Sequence, residues 1–171
     1  MTPLPQLLLA TLLLLPAALL QAAIIGSDDR YPQSDNNRFP FRAIGLLEGD
    51  DATCTATLIG PQHILTAAHC LLDVSNPGQW RRNLYFTAAR NGLGEQPYAS
   101  QRLIRAWVDS GYVAAMQTLN RQQQLQLNSS QSAAQVAFIK QTLALDYAVA
   151  ELDQEIGRET GWLGLQTLDS K

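Results

Sequence analysis

The strongest chemical signal in these 171 residues is an imidazole set among small side chains and followed by a cysteine, in Leu65-Thr66-Ala67-Ala68-His69-Cys70. A histidine that works as a general base needs a fixed ring, with one nitrogen facing a nucleophile and the other held by a carboxylate. A tight turn with small neighbours leaves such a ring accessible at a cleft. A cysteine directly after it can pin the turn to a neighbouring strand, and Cys54, on the preceding strand-like stretch, is where that pin would land.

Other chemistry is less well served. Cys54, His63, His69 and Cys70 do not make a zinc set, because adjacent His69 and Cys70 rarely reach one tetrahedral ion and no Cys-x-x-Cys pair is present. Asp28, Asp29, Asp50 and Asp51 lack the spaced oxygen ligands of a calcium loop. No cofactor or metal is therefore expected. His63 opens a strand after Gly60-Pro61 and reads as structural or surface.

The elements that must position His69 are short and β-rich. Apolar, strand-like stretches run over 41–47, 53–59, 63–66, 84–89, 102–108 and 147–152, separated by turns at 48–51, 60–61 and 76–78. Ala67 to Cys70 predicts a tight helical turn, and 157–164 a turn-rich loop. The segment of about 112–140 differs: it is rich in Gln, Ala, Leu and Ser, with Met116, Leu119 and Gln123 at helical spacing. It predicts a partly helical insertion, broken near Asn128-Ser129-Ser130, that runs over the surface. The pattern by itself supports a mostly-β fold.

Composition bounds the partners. Net charge is −3 and charged residues are 16%, with no basic run, which argues against a nucleic-acid binder. Leu7 to Leu20 is apolar but short, and Gln21-Ala22-Ala23 offers a small-residue exit. Residues 1–23 are expected to be a cleaved signal peptide, although the segment before the apolar run lacks Lys and Arg. No second long apolar run follows, so no membrane association is expected after cleavage, and the location is expected to be secreted or periplasmic. In an oxidising compartment Cys54 and Cys70 most often pair as one disulfide, worth about 3 kcal/mol for so short a loop.

Thr66-Ala67-Ala68-His69-Cys70 resembles the histidine box of the trypsin-like (chymotrypsin-fold) serine proteases. The Cys54–Cys70 spacing resembles that family's histidine-loop disulfide. Asp146-Tyr147-Ala148-Val149-Ala150-Glu151-Leu152 resembles its aspartate box. Ile25-Gly26-Ser27-Asp28-Asp29-Arg30 and Gly161-Trp162-Leu163-Gly164-Leu165 are similar to the bacterial branch containing glutamyl endopeptidases. The resemblance implies an all-β fold: one Greek-key β-barrel, the N-terminal half of a two-barrel enzyme, over 24–168 with the partly helical insertion. It implies His69 as general base and Asp146 as its orienting carboxylate, acting on polypeptide substrates by serine acyl transfer. Asp109, in Trp107-Val108-Asp109-Ser110-Gly111, is the rival carboxylate. Asp146 is preferred because an alternating strand follows it.

The sequence departs from the family where the nucleophile should come. The serine that follows Asp146 is Ser170, which has no flanking glycines to bring oxyanion-binding amides close. The second barrel is expected to be absent from these residues, and the 171 residues to be inactive by themselves. The alternative is a secreted non-catalytic binding module. Signal cleavage after Ala23 would expose Ile24, an N-terminus of the type that matures trypsin-like enzymes, though an ordinary signal cut explains it equally well.

Overall fold

The computed structural model describes Ser27, Tyr31, residues 33–73, Asn76, and residues 78–90, 96–125 and 140–166. Residues 1–23, expected to be a signal peptide, Ile24, Asp28, Asp29, the break expected near 128–130 and Ser170 lie outside them. The chain divides into two units, Met1–Gln33 and Ser34–Lys171, and the second holds the site.

Six antiparallel strands close into a barrel: β1 (Ile44–Glu48), β2 (Thr53–Leu58), β3 (His63–Thr66), β4 (Tyr85–Ala88), β5 (Gln101–Val108) and β6 (Ala148–Leu152). They are ordered β1-β2-β3-β6-β5-β4, with β4 returning to β1. The out-of-sequence neighbours make the order Greek-key-like, as the family resemblance implied. Alternation drives the closure, because successive side chains of a strand face opposite sides. Leu47, Ala56, Leu58, Ile64, Phe86, Ala88, Ala148, Ala150 and Leu152 point inward and are buried. Strand β5 alternates less cleanly, since a register shift falls between Leu103 and Arg105.

A six-stranded barrel has little interior, and side chains fill it. Here small residues at 43, 56, 88, 148 and 150 share one buried core with Phe86, among the largest fully buried side chains. Gly45 belongs to the same arrangement. A Cβ there would lie 2.7 Å from Phe86 Cε2 and collide with the Thr87 carbonyl across the β1–β4 ladder. Gly45→Ala is expected to destabilise the fold by about 1–3 kcal/mol, an overpacking cost. Urea unfolding checks it; an unchanged midpoint would show that the ladder yields freely.

Most strands form where the residue pattern predicts, and two segments differ. Residues Phe41–Ala43 form a 3-10 turn ahead of β1. The expected loop at 157–164 begins instead as a helical turn, α3 (Gly157–Thr160). It is seated under the β2–β3 hairpin: Gly157 donates its N–H to the Pro61 carbonyl at 2.8 Å, and a Cβ at Gly157 would lie 2.6 Å from the Gly60 carbonyl. The insertion contributes helix α2 (Ser110–Leu125), and residues 140–143 are helical before the chain reaches β6.

Candidate active site

The site forms where three strand ends meet. Strands β3, β6 and β5 are neighbours, and Thr66 pairs with Ala148, which pairs in turn with Val108. His69 follows Thr66 by one turn, and Asp146 precedes Ala148. Barrel pairing thus brings both side chains to one rim, although they are 77 residues apart.

His69 is carried by α1 (Ala68–Leu71), a helix of one turn. No side chain caps its start at Ala67, so packing must hold it. Ala68, Cys70 and Leu71 are all buried. Cys70 is joined to Cys54 on β2 in a disulfide. On the other side, Arg81 Nε donates to the His69 carbonyl at 3.4 Å, while its guanidinium pairs with Asp51. The turn is therefore fixed to the barrel while its imidazole projects outward, with 51% of the His69 side chain exposed.

Asp146 grips this histidine at two points. Its Oδ2 lies 2.7 Å from His69 Nδ1, and its Oδ1 accepts the His69 backbone N–H at 3.0 Å. An ionised carboxylate only accepts, so Nδ1 carries the shared proton and Nε2 is left as the basic nitrogen. The Asp146 side chain is 13% exposed, so little water competes for those bonds. This is the arrangement in which a histidine can take a proton from a hydroxyl and later return it to a leaving group.

The other candidates have different work. Asp109 stands at the start of α2: its Oδ1 accepts the Gly111 N–H at 2.7 Å, and its carbonyl accepts the Tyr112 N–H at 3.1 Å. It closes the helix start, as short acidic residues do, and is not the carboxylate on His69. His63 sits on β3 with its ring 6.2 Å from Trp107. Asp50 accepts from Asn83, and Asp51 pairs with Arg81. Cys54, His69 and Cys70 lie within 4.8 Å of one another, but their two sulfurs are bonded together and offer no thiolate to a metal.

The residue patterns missed Tyr112. It opens the segment expected to be a solvated excursion, yet it is 3% exposed. Burial, together with the Asp146 charge, pushes its phenol up from 10.0 to about 12. A raised phenol pKa means the fold favours the neutral form. The associated stability is complete below pH 10 and lost as pH climbs through about 12. Urea midpoints measured across that window should fall more steeply for the wild type than for Tyr112→Phe. Parallel curves would show that the phenol is not held.

A Greek-key-like barrel presenting a carboxylate-held histidine at its rim is the arrangement of a trypsin-like fold. Residues 28–170 match the Trypsin family model, and the chain belongs to that family. It is 28% identical over 142 residues to the glutamyl endopeptidase of Bacillus licheniformis, covering 83% of this chain and 36% of that protein. It is 24% identical over 155 residues to a Bacillus subtilis protein named extracellular metalloprotease, covering 87% of this chain and 41% of that one. Its fold matches a solved Glu endopeptidase with a TM-score of 0.63 at 22% identity, covering 86% of this chain and 56% of the other. The chain thus spans well under half the length of the curated relatives it matches.

Proposed function

We propose that this chain supplies the general base, His69, and its orienting carboxylate, Asp146, to a secreted serine endopeptidase acting on polypeptides. The observation that carries this is the two-point grip of Asp146 on the backbone and ring of His69. In the reaction, His69 Nε2 takes the proton of an attacking serine hydroxyl and Asp146 stabilises the resulting imidazolium. His69 then protonates the leaving amine, and water repeats the sequence on the acyl-enzyme. Residues 24–168 form the barrel that holds this pair, with 112–140 inserted, and residues 1–23 direct export. The Cys54–Cys70 disulfide supports an oxidising destination.

The family resemblance implies that the nucleophile and the oxyanion-binding amides come from a second barrel, a partner to the one that carries His69 and Asp146. Ser170 has Asp169 and Lys171 as neighbours and lacks the glycines that bring two amides onto an oxyanion. A base without those partners lacks the constellation that makes acyl transfer fast. The purified 171 residues are expected neither to digest casein nor to be labelled by a serine-directed phosphonate. Labelling of Ser170 or measurable turnover would overturn this assignment of roles.

A further inference from the structure

We propose that Arg81 is a positioning residue of the His69–Asp146 pair, and that the β1–β2 turn acts on the site through it. The inference rests on the function proposed above and gives the His69 backbone a second anchor. Asp146 takes the His69 N–H at 3.0 Å. The carbonyl of the same residue also needs a donor, because so short a helix leaves its last carbonyls without partners of its own. In α1 the Leu72 N–H closes on the Ala68 carbonyl, and Arg81 supplies two of the carbonyls beyond it. Its backbone N–H donates to the Leu71 carbonyl at 2.9 Å and its Nε to the His69 carbonyl at 3.4 Å. The chain leaves α1 through Leu72 and returns at Trp80, to which Leu72 is bridged, so Arg81 arrives beside the helix end.

A second element aims the guanidinium. Asp51, in the turn between β1 and β2, pairs with Arg81 Nη1. The guanidinium is planar and its N–H bonds form a fixed fork, so holding Nη1 fixes the direction of Nε. The Arg81 side chain is 10% exposed, which limits competition from water. Asp50 secures the same turn: its carboxylate accepts from the Asn83 amide at 2.9 and 3.1 Å, and its N–H donates to the Arg82 carbonyl at 3.4 Å. Asp50 and Asp51, which lack the spacing of a calcium loop, thus dock the β1–β2 turn onto residues 81–83. His69 is then held at both peptide groups, by Asp146 at its N–H and by Arg81 at its carbonyl. Turning α1 so as to carry the imidazole off Asp146 Oδ2 breaks the Arg81 contact as well.

The test reads the histidine directly and needs no nucleophile. Nitrogen-15 NMR of the histidine-labelled 171-residue chain reports the tautomer of His69, with His63→Gln used to assign the two rings. The wild type should show the Nδ1–H form. Arg81→Met should lower the Nδ1–H to Nε2–H ratio by about threefold to tenfold, the size of one net hydrogen bond. Leu152→Val, a core truncation at the end of β6 far from Asp146 along the strand, should lower the urea midpoint and leave the ratio alone. A wild-type ratio in folded Arg81→Met overturns the proposal, and so does an equal fall in Leu152→Val, which would show general loosening. If Asp146→Asn leaves the tautomer unmoved, the reading of His69 and Asp146 as a pair fails, and this proposal with it. Should Arg81→Met not fold, Asp51→Asn decides, since that side chain is 58% exposed. It should lower the ratio by about twofold, part of one net hydrogen bond, and an unmoved ratio overturns the proposal.

Discussion

Asp146→Asn is expected to move the proton of neutral His69 from Nδ1 to Nε2. In any enzyme where these residues face a nucleophilic serine, it is expected to lower kcat by about 10⁴-fold, the loss known for this change in a trypsin-type triad. The change is nearly isosteric, so the cause must be hydrogen-bond direction. The two Asp146 oxygens accept from the His69 amide and from Nδ1. An asparagine has one oxygen to give. The backbone N–H can only donate and so claims that oxygen, which leaves the amide NH₂ facing Nδ1. Nδ1 must then accept, its proton passes to Nε2, and the nitrogen that should act as base is already occupied. Asp146→Ala separates tautomer from occupancy. It leaves both the His69 backbone N–H and Nδ1 without their acceptor, whereas asparagine still accepts from the backbone, a difference of about one net hydrogen bond, ~1 kcal/mol. Alanine should therefore destabilise the fold more than asparagine does. Nitrogen-15 shifts and urea midpoints of both variants check this, and a tautomer unchanged in asparagine would refute the grip.

How much of this was legible in the chain depends on the range of the forces involved. Strand β3, His63–Thr66, follows from residue type alone, because alternation and a flanking Gly60-Pro61 are local properties. The histidine box is equally local, since His69, Cys70 and the small residues before them are adjacent. Asp146, which lies against His69, carries a cue just as local, the alternating strand that follows it. Tyr112 was illegible for the opposite reason. The 112–140 segment is Gln-rich with a weak apolar stripe, and Tyr112 is buried in a core cluster with Ala148 and Ala150, distant in sequence. Helix α3 repeats the lesson: Gly-Arg-Glu-Thr has weak helical character, and contacts with Gly60 and Pro61 stabilise the turn. The one retrospective cue to Tyr112 is Asp109-Ser110-Gly111-Tyr112, a helix-start pattern carrying an aromatic residue in the first turn.

Removing the disulfide should give the largest loss of stability. Cys54 and Cys70 are separated by 16 in the sequence, and releasing a loop of that length is expected to cost the double variant Cys54→Ala/Cys70→Ala about 3 kcal/mol. In a domain of this size that corresponds to a fall of roughly 10 °C in Tm. The loss should act on the unfolded chain more than on the site. Strand β2 keeps its ladders to β1 and β3, and α1 keeps the burial of Ala68 and Leu71 and the Arg81 contact to the His69 carbonyl. His69 should therefore retain its Nδ1–H tautomer at 25 °C in the double variant while the urea midpoint drops. The two readouts move apart only if the barrel rim, rather than the crosslink, orients the imidazole. A tautomer that scrambles while the barrel remains folded would mean that the covalent pin holds the turn, and that Asp146 merely meets a ring placed for it by Cys70.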